Sequence, residues 1–144
     1  MANTATISKL NNILADANVM HTKLHNYHWN VKGMQFYGLH AKTEEFYGTF
    51  ATIYDDVAER ILQLGGKPLV TLKQILATAR IKEDERTDFS ANDVVKALME
   101  DFKFFHGEFK SLSDGADAIT TAYADEKVGM LEKEIWMLRS MLGE

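Results

Sequence analysis

The sequence predicts an all-α fold, a four-helix bundle with a short helix in one long crossover connection. Three observations carry that expectation. Apolar residues recur at helical spacings of three, four and seven along nearly all of the 144 residues. A single proline and the lack of any low-complexity stretch leave room for long uninterrupted helices. No segment shows the period-two alternation of a strand. The length suits one domain over residues 1–144.

The first helix is expected from about Thr6 or Ser8 to Val31. Ile7, Leu10, Leu14, Ala17 and Leu24 form its stripe, and Gly33 breaks it. A second helix follows from about Tyr37 to Leu64, with Leu39, Phe46, Phe50, Ile53, Val57 and Leu64 on one side. Gly65-Gly66-Lys67-Pro68 is a stop signal, glycine just past the end and proline beyond it. A short helix is expected around Leu72–Ala79, and the polar run Lys82–Asp88 reads as a loop. Ser90 with Asp93 three residues on has the pattern of a helix start. The third long helix then carries Val95, Leu98, Phe102, Phe105, Phe109 and Leu112, and ends at Ser113-Asp114-Gly115. The fourth runs from about Asp117 to Leu142 with Leu131, Ile135, Leu138 and Leu142. The connection between the second and third helices has about 25 residues, too long for a simple up-down turn. It can run the length of the bundle, the topology of ferritin-like folds.

Composition narrows the chemistry. Without cysteine there are no disulfides, thiolate metal sites or cysteine nucleophiles, so a metal would rest on His, Asp, Glu or backbone oxygen. No apolar run approaches the roughly 18 residues of a membrane span, and the N-terminal residues lack the pattern of a secretory signal. A cytoplasmic location is expected. The formal net charge of −5 disfavours a protein that grips nucleic acid by neutralising phosphates. Neither end carries a lysine-rich tail, so DNA binding is not expected.

Five histidines are candidates for metal chemistry: His21, His25, His28, His40 and His106. The first three fall at i, i+4 and i+7, roughly one helix face. They read either as a metal triad or as a continuation of the apolar stripe by buried, hydrogen-bonded imidazoles. His106, alone among phenylalanines, reads as structural. The Glu-x-x-His signature of an in-core di-iron bundle does not occur.

Asp55 and Glu59 share a face of the second helix. At about 100° per residue they fall some 160° from Leu39, opposite the core. Gly48, Ala51, Ala58 and Leu62 lie on that same outer side, with Glu44 beside them and His40 nearby. A face of small and apolar residues with a few acids suggests that another subunit packs there. A partly apolar surface of no consequence has the same pattern. A hairpin through Gly33 would set His28 beside His40, whereas Asp55 lies 15 residues further on, about 22 Å along a helix. The two pairs cannot meet within one chain. Two copies of the helix lying antiparallel about a two-fold axis near Gly48 would bring each histidine pair to the acids of the other copy. Imidazole and carboxylate without thiolate suit iron; zinc and manganese fit the same donors.

The segment Leu24-His25-Asn26-Tyr27-His28-Trp29-Asn30-Val31-Lys32-Gly33 leads through Phe36 to Leu39-His40, then to Asp55-Asp56-Val57-Ala58-Glu59-Arg60-Ile61 and Leu64-Gly65-Gly66. This order, H-x11-H-x14-D-x3-E with tryptophan after the first histidine, strongly resembles the Dps family of mini-ferritins. The likeness spans essentially the whole chain, including Ile135-Trp136-Met137-Leu138. The resemblance implies a homo-oligomer, a hollow shell of twelve subunits that oxidises Fe(II) with hydrogen peroxide or oxygen and stores ferric mineral. It implies two irons per inter-subunit site. His28 and His40 match the ligand histidines, and Asp55 and Glu59 match carboxylates from the two-fold partner. Glu44 stands where many members have aspartate at the second iron. Trp29 matches the tryptophan that takes up oxidising equivalents. Asp114, Asp117, Asp125 and Glu126 fall in a region that lines iron-access pores in relatives, although acids there also complement a helix dipole. The competing function is a DNA-binding, nucleoid-protecting shell with a weak or vestigial iron site.

Overall fold

The computed structural model describes residues 2–144. Among them are five helices in the order α1 (Ala2–Asn30), α2 (Phe36–Gln63), α3 (Leu72–Thr78), α4 (Ala91–Ser113) and α5 (Ala118–Met141). A two-residue strand β1 (Val31–Lys32) pairs in parallel with β2 (Phe89–Ser90). Helix α1 begins one turn or more before the expected start, because Thr6 lies buried inside the helix a turn ahead of Leu10. The β pairing is absent from the sequence expectation, since two residues are too few to show alternation. Burial holds it, with Val31 and Phe89 each 1% exposed.

The backbone divides into two compact units. The first, Leu10–Val94, contains most of α1, all of α2 and α3, and the β pair. Its α2 buries Leu39, Thr43, Phe46, Phe50, Ile53, Val57 and Ile61, the expected stripe with Ile61 in place of half-buried Leu64. Each phenylalanine so buried contributes about 1.5–3 kcal/mol. The helix stops as Gly65 and Gly66 require. Gly65 takes φ +84°, its N–H reaches the Leu62 carbonyl (3.0 Å), and the Gly66 N–H reaches Ile61 (2.9 Å). These two bonds satisfy carbonyls that the helix end would orphan.

Four side chains of α1 fasten the long crossover. Asn11 donates to the Lys67 carbonyl and accepts from the Leu69 N–H. The fully buried Asp16 accepts from the backbone N–H groups of Arg80 and Ile81 and from the Arg80 guanidinium. Asn26 donates to the carbonyls of Asp84 and Arg86, and the Tyr27 hydroxyl donates to Asp84. A capping box of Thr71 and Gln74 starts α3. A second, in which Ser90 and Asp93 exchange side-chain and backbone bonds, starts α4 as expected.

The second unit comprises Val95–Glu144 with the N-terminal residues up to Lys9. Val95, Leu98, Phe102, Phe105, Phe109 and Leu112 of α4 are all buried, and Leu131 and Leu138 of α5 with them. Asp117 caps α5 by accepting from the Thr120 N–H (3.0 Å) and hydroxyl (2.7 Å). Lys9 donates to the Ser111 carbonyl (3.1 Å).

Candidate metal centre

The centre is built on the hairpin between α1 and α2. His28 occupies the last turn of α1 and His40 the second turn of α2. Gly33, at φ +110°, reverses the chain between them in a conformation that side-chain-bearing residues seldom adopt. The imidazoles stack with centroids 3.6 Å apart and planes 16° from parallel.

Each histidine is held by the other's backbone. His28 Nδ1–H donates to the His40 carbonyl (2.6 Å), and His40 Nδ1–H donates to the His28 carbonyl (2.8 Å). A carbonyl only accepts, so both Nδ1 atoms carry protons, and Nε2 is the acceptor nitrogen of each ring in its neutral form. Metal-binding histidines are oriented this way, with the distal N–H fixed by an oxygen. Thr43, fully buried, donates to the Leu39 carbonyl (2.6 Å) and sets its Oγ1 3.2 Å from His28 Nδ1. Phe36 stacks on the outer side of His40 (5.0 Å). His28 is 6% exposed, so one ring of the pair is shielded while the other is half-buried.

The carboxylates are elsewhere. Glu44, Asp55 and Glu59 all lie exposed on α2. Asp55 is separated from His40 by about 22 Å of continuous helix. Among the described residues, no group of three or more His, Asp or Glu gathers within metal-binding reach in one chain. The structure thus brings His28 to His40 and leaves Asp55 and Glu59 together but remote. The outer side of α2 around Gly48 is open, with nothing within 4 Å of the position a Cβ would take, and Leu62 is 60% exposed. Trp29 follows His28 and is 66% exposed.

His21 and His25 do not join the pair as a triad. They belong to an aromatic cluster centred on Tyr47, which stacks on His25 (3.8 Å, 18°) and meets the His21 and His28 rings edge-on (5.8 and 5.3 Å). Burial, and secondarily the charge of His25, push the His21 pKa below its usual value. His106 bonds Glu132 through Nε2 (2.9 Å), a structural pairing of α4 with α5. Of the four acids near the start of α5, Asp117 is the cap and Asp125 accepts from the Ser113 hydroxyl (2.6 Å). Glu126 lies 3.4 Å from Lys127.

Sequence reasoning missed Thr43 and Tyr47. Thr43 carries a signal, a polar residue on the apolar stripe three positions after His40. Tyr47, two turns after His40, shares its face at helical spacing.

These features define an all-α protein with a stacked histidine pair held by reciprocal backbone bonds. Residues 7–144 match the family described as the ferritin-like domain. The DNA protection during starvation protein of Helicobacter pylori (strain J99) is 46% identical over 141 residues, 95% of this chain and 98% of that one. The crystal structure of Helicobacter cinaedi CAIP superposes with a TM-score of 0.93 at 48% identity, covering 95% and 99% of the two chains. The Dps protein of Vibrio cholerae O1, described as a member of a broad superfamily of ferritin-like diiron-carboxylate proteins, gives 0.92 at 30% identity over 98% and 91%. The chain belongs to the ferritin-like family and, within it, to the Dps proteins. Its fold class is accordingly the ferritin-like four-helix bundle, with α3 as the short helix of the crossover. No helix among the described residues is long and apolar enough to cross a membrane.

Proposed function

We propose that this protein is a ferroxidase and iron store. Two copies share each site: His28 and His40 of one subunit face Asp55 and Glu59 of a two-fold partner. The observation that carries the reading is the reciprocal bonding of His28 and His40, which fixes both Nδ1 protons, while among the described residues no group of three or more His, Asp or Glu gathers in one chain. The exposed acids and open surface around Gly48 support a second copy as the missing half. Two antiparallel copies of α2 make two identical sites per dimer.

Iron is the substrate. Two Fe(II) ions occupy each site, and Glu59 supplies the principal carboxylate to the more tightly held one. Glu44, one turn from His40, serves the second. Imidazole accepts Fe(II), while the harder carboxylates favour the Fe(III) product. Hydrogen peroxide takes one electron from each iron, and with two protons becomes two waters, so no hydroxyl radical is released. The ferric product is stored as mineral in a shell of twelve subunits in the cytoplasm. Trp29 takes up stray oxidising equivalents beside the site, and acids near the start of α5 line the route for incoming iron.

Peroxide titration under anaerobic conditions tests the chemistry. The expected stoichiometry is two Fe(II) consumed per peroxide; one per peroxide with hydroxyl-radical release contradicts it. The H. pylori relative is named for DNA protection, which a second reading, a shell that binds DNA, would also give. Removing iron and peroxide protects DNA without contact, and a net charge of −5 opposes phosphate binding. A low-salt gel shift separates the two. Little retardation is expected, and tight binding favours the second reading.

A further inference from the structure

The aromatic cluster beside the histidine pair forms a continuous path of rings. Tyr47 meets His28 edge-on at 5.3 Å and stacks on His25 at 3.8 Å. His25 leads to Trp29 at 5.4 Å. His21 links Tyr47 to Tyr54, each at 5.8 Å. Three readily oxidised side chains, one indole and two phenols, are therefore joined through imidazoles to a ring that we read as an iron ligand. Tyr47 touches the ligand ring itself and is half-buried, whereas Trp29 reaches the path through His25 and is 66% exposed.

We propose that Tyr47 is an electron-donating residue for peroxide reduction when a site holds only one Fe(II). The proposal rests on the reading of His28 as an iron ligand. Peroxide needs two electrons to become water. A single Fe(II) supplies one, and the one-electron product is hydroxyl radical unless a second donor stands close by. Tyr47 supplies the second electron through the His28 ring and loses its phenolic proton. One Fe(II), one tyrosine, one hydrogen peroxide and one proton thus give one Fe(III), one tyrosyl radical and two waters. The O–O bond and the phenol O–H bond break, and two water O–H bonds form. A second Fe(II) arriving later returns the electron, a proton restores the phenol, and the sum equals the two-iron reaction. The path through His21 to Tyr54 lets the unpaired electron move away from the site while it waits.

The test uses the assembled protein loaded with less than one Fe(II) per site, mixed with hydrogen peroxide and frozen within the reaction. Electron paramagnetic resonance reads the radical, and a spin trap reads released hydroxyl radical. Wild type is expected to give a tyrosyl signal. Y47F, which keeps the ring and removes only the hydroxyl, is expected to lose most of that signal and to release more hydroxyl radical. W29F is expected to keep the tyrosyl signal. A Y47F protein with an undiminished tyrosyl signal overturns the proposal, as does a wild type with none. Loss of the signal in W29F but not in Y47F also overturns it and makes the tryptophan the donor. The fully loaded wild type serves as the control for the iron site. If its ratio of two Fe(II) per peroxide holds while Y47F behaves as wild type, only the role of Tyr47 falls. If that ratio fails, the iron site itself has been misread.

Discussion

Replacing Asp16 with alanine should damage the fold severely although the residue lies away from the candidate centre. The carboxylate is fully buried and makes four hydrogen bonds to the crossover. One oxygen serves the N–H groups of Arg80 and Ile81, and the other serves the guanidinium, with Nη2 at 2.7 Å. In D16A the Arg80 side chain, 39% exposed already, can return its guanidinium to water at small cost. The N–H of Ile81, a residue 7% exposed, cannot easily do so. An orphaned N–H costs about 1–3 kcal/mol, and breaking a buried ion pair costs about 3–5 kcal/mol in total. With a urea m-value of roughly 2 kcal/mol/M, a loss of about 4 kcal/mol lowers the unfolding midpoint by about 2 M. D16N keeps an oxygen for both N–H groups and should lose less, about 1–3 kcal/mol. Circular dichroism in urea measures both, at one fixed protein concentration because assembly adds a mass-action term. His28 is twelve residues along α1, about 18 Å away, so iron affinity in the folded variant should hold. A midpoint within about 0.3 M of wild type would refute the reasoning that Asp16 fastens the crossover.

Two further outcomes follow from the same kind of accounting. The hydrogen bonds from the Arg86 guanidinium hold Asp84 well below the usual carboxylate value, at about 2, against an opposing effect of burial. The folded chain keeps this acid ionised after the unfolded chain has protonated it. Its contribution is therefore complete above about pH 4 and is lost as pH falls towards 2. Because Arg86 is 63% exposed, screening limits the contribution to about 1 kcal/mol, and D84N should flatten acid unfolding curves by that amount. T43V removes the hydroxyl between His28 and the Leu39 carbonyl and should cost about 1 kcal/mol in urea unfolding. Since His28 keeps its bond to the His40 carbonyl, calorimetric iron affinity should fall less than the 10–100-fold expected for losing an orienting partner. A hundredfold fall would assign that orientation to Thr43.

The long helices were legible because burial and 3.6-residue periodicity coincide in them. Phe46, Phe50, Ile53 and Val57 are both the periodic residues and the buried ones. The stops and starts were legible where one residue type is required, as at Gly65 and at Ser90 with Asp93. The His28–His40 contact followed from the Gly33 hairpin alone. What stayed hidden depends on contacts distant in sequence. Asp16 sits in Ile13-Leu14-Ala15-Asp16-Ala17, five consecutive buried residues. A run buried on every side has no period, and an acid inside it must have a partner that the sequence does not name. The pairing of Val31 with Phe89 joins residues 58 apart through two-residue strands. The stacking of Tyr47 on His25 depends on how α1 and α2 turn towards each other, and a tyrosine at helical spacing gives only its own face. Of the proposed centre, one chain shows only the histidine pair, because Asp55 and Glu59 lie exposed and remote from it on α2.

Mixing two damaged subunits tests that second copy most directly. H40A lacks a proposed histidine ligand and D55A a proposed carboxylate ligand, so each assembled alone should oxidise Fe(II) poorly with peroxide. Dissociated and reassembled together in equal amounts, half the dimers should be hybrids. Each hybrid should pair the intact histidines of one subunit with the intact acids of the other. About a quarter of all sites should then be whole, and Fe(II) oxidation should return to about that fraction of wild type. Activity no higher in the mixture than in either variant alone would contradict a centre shared between neighbouring subunits.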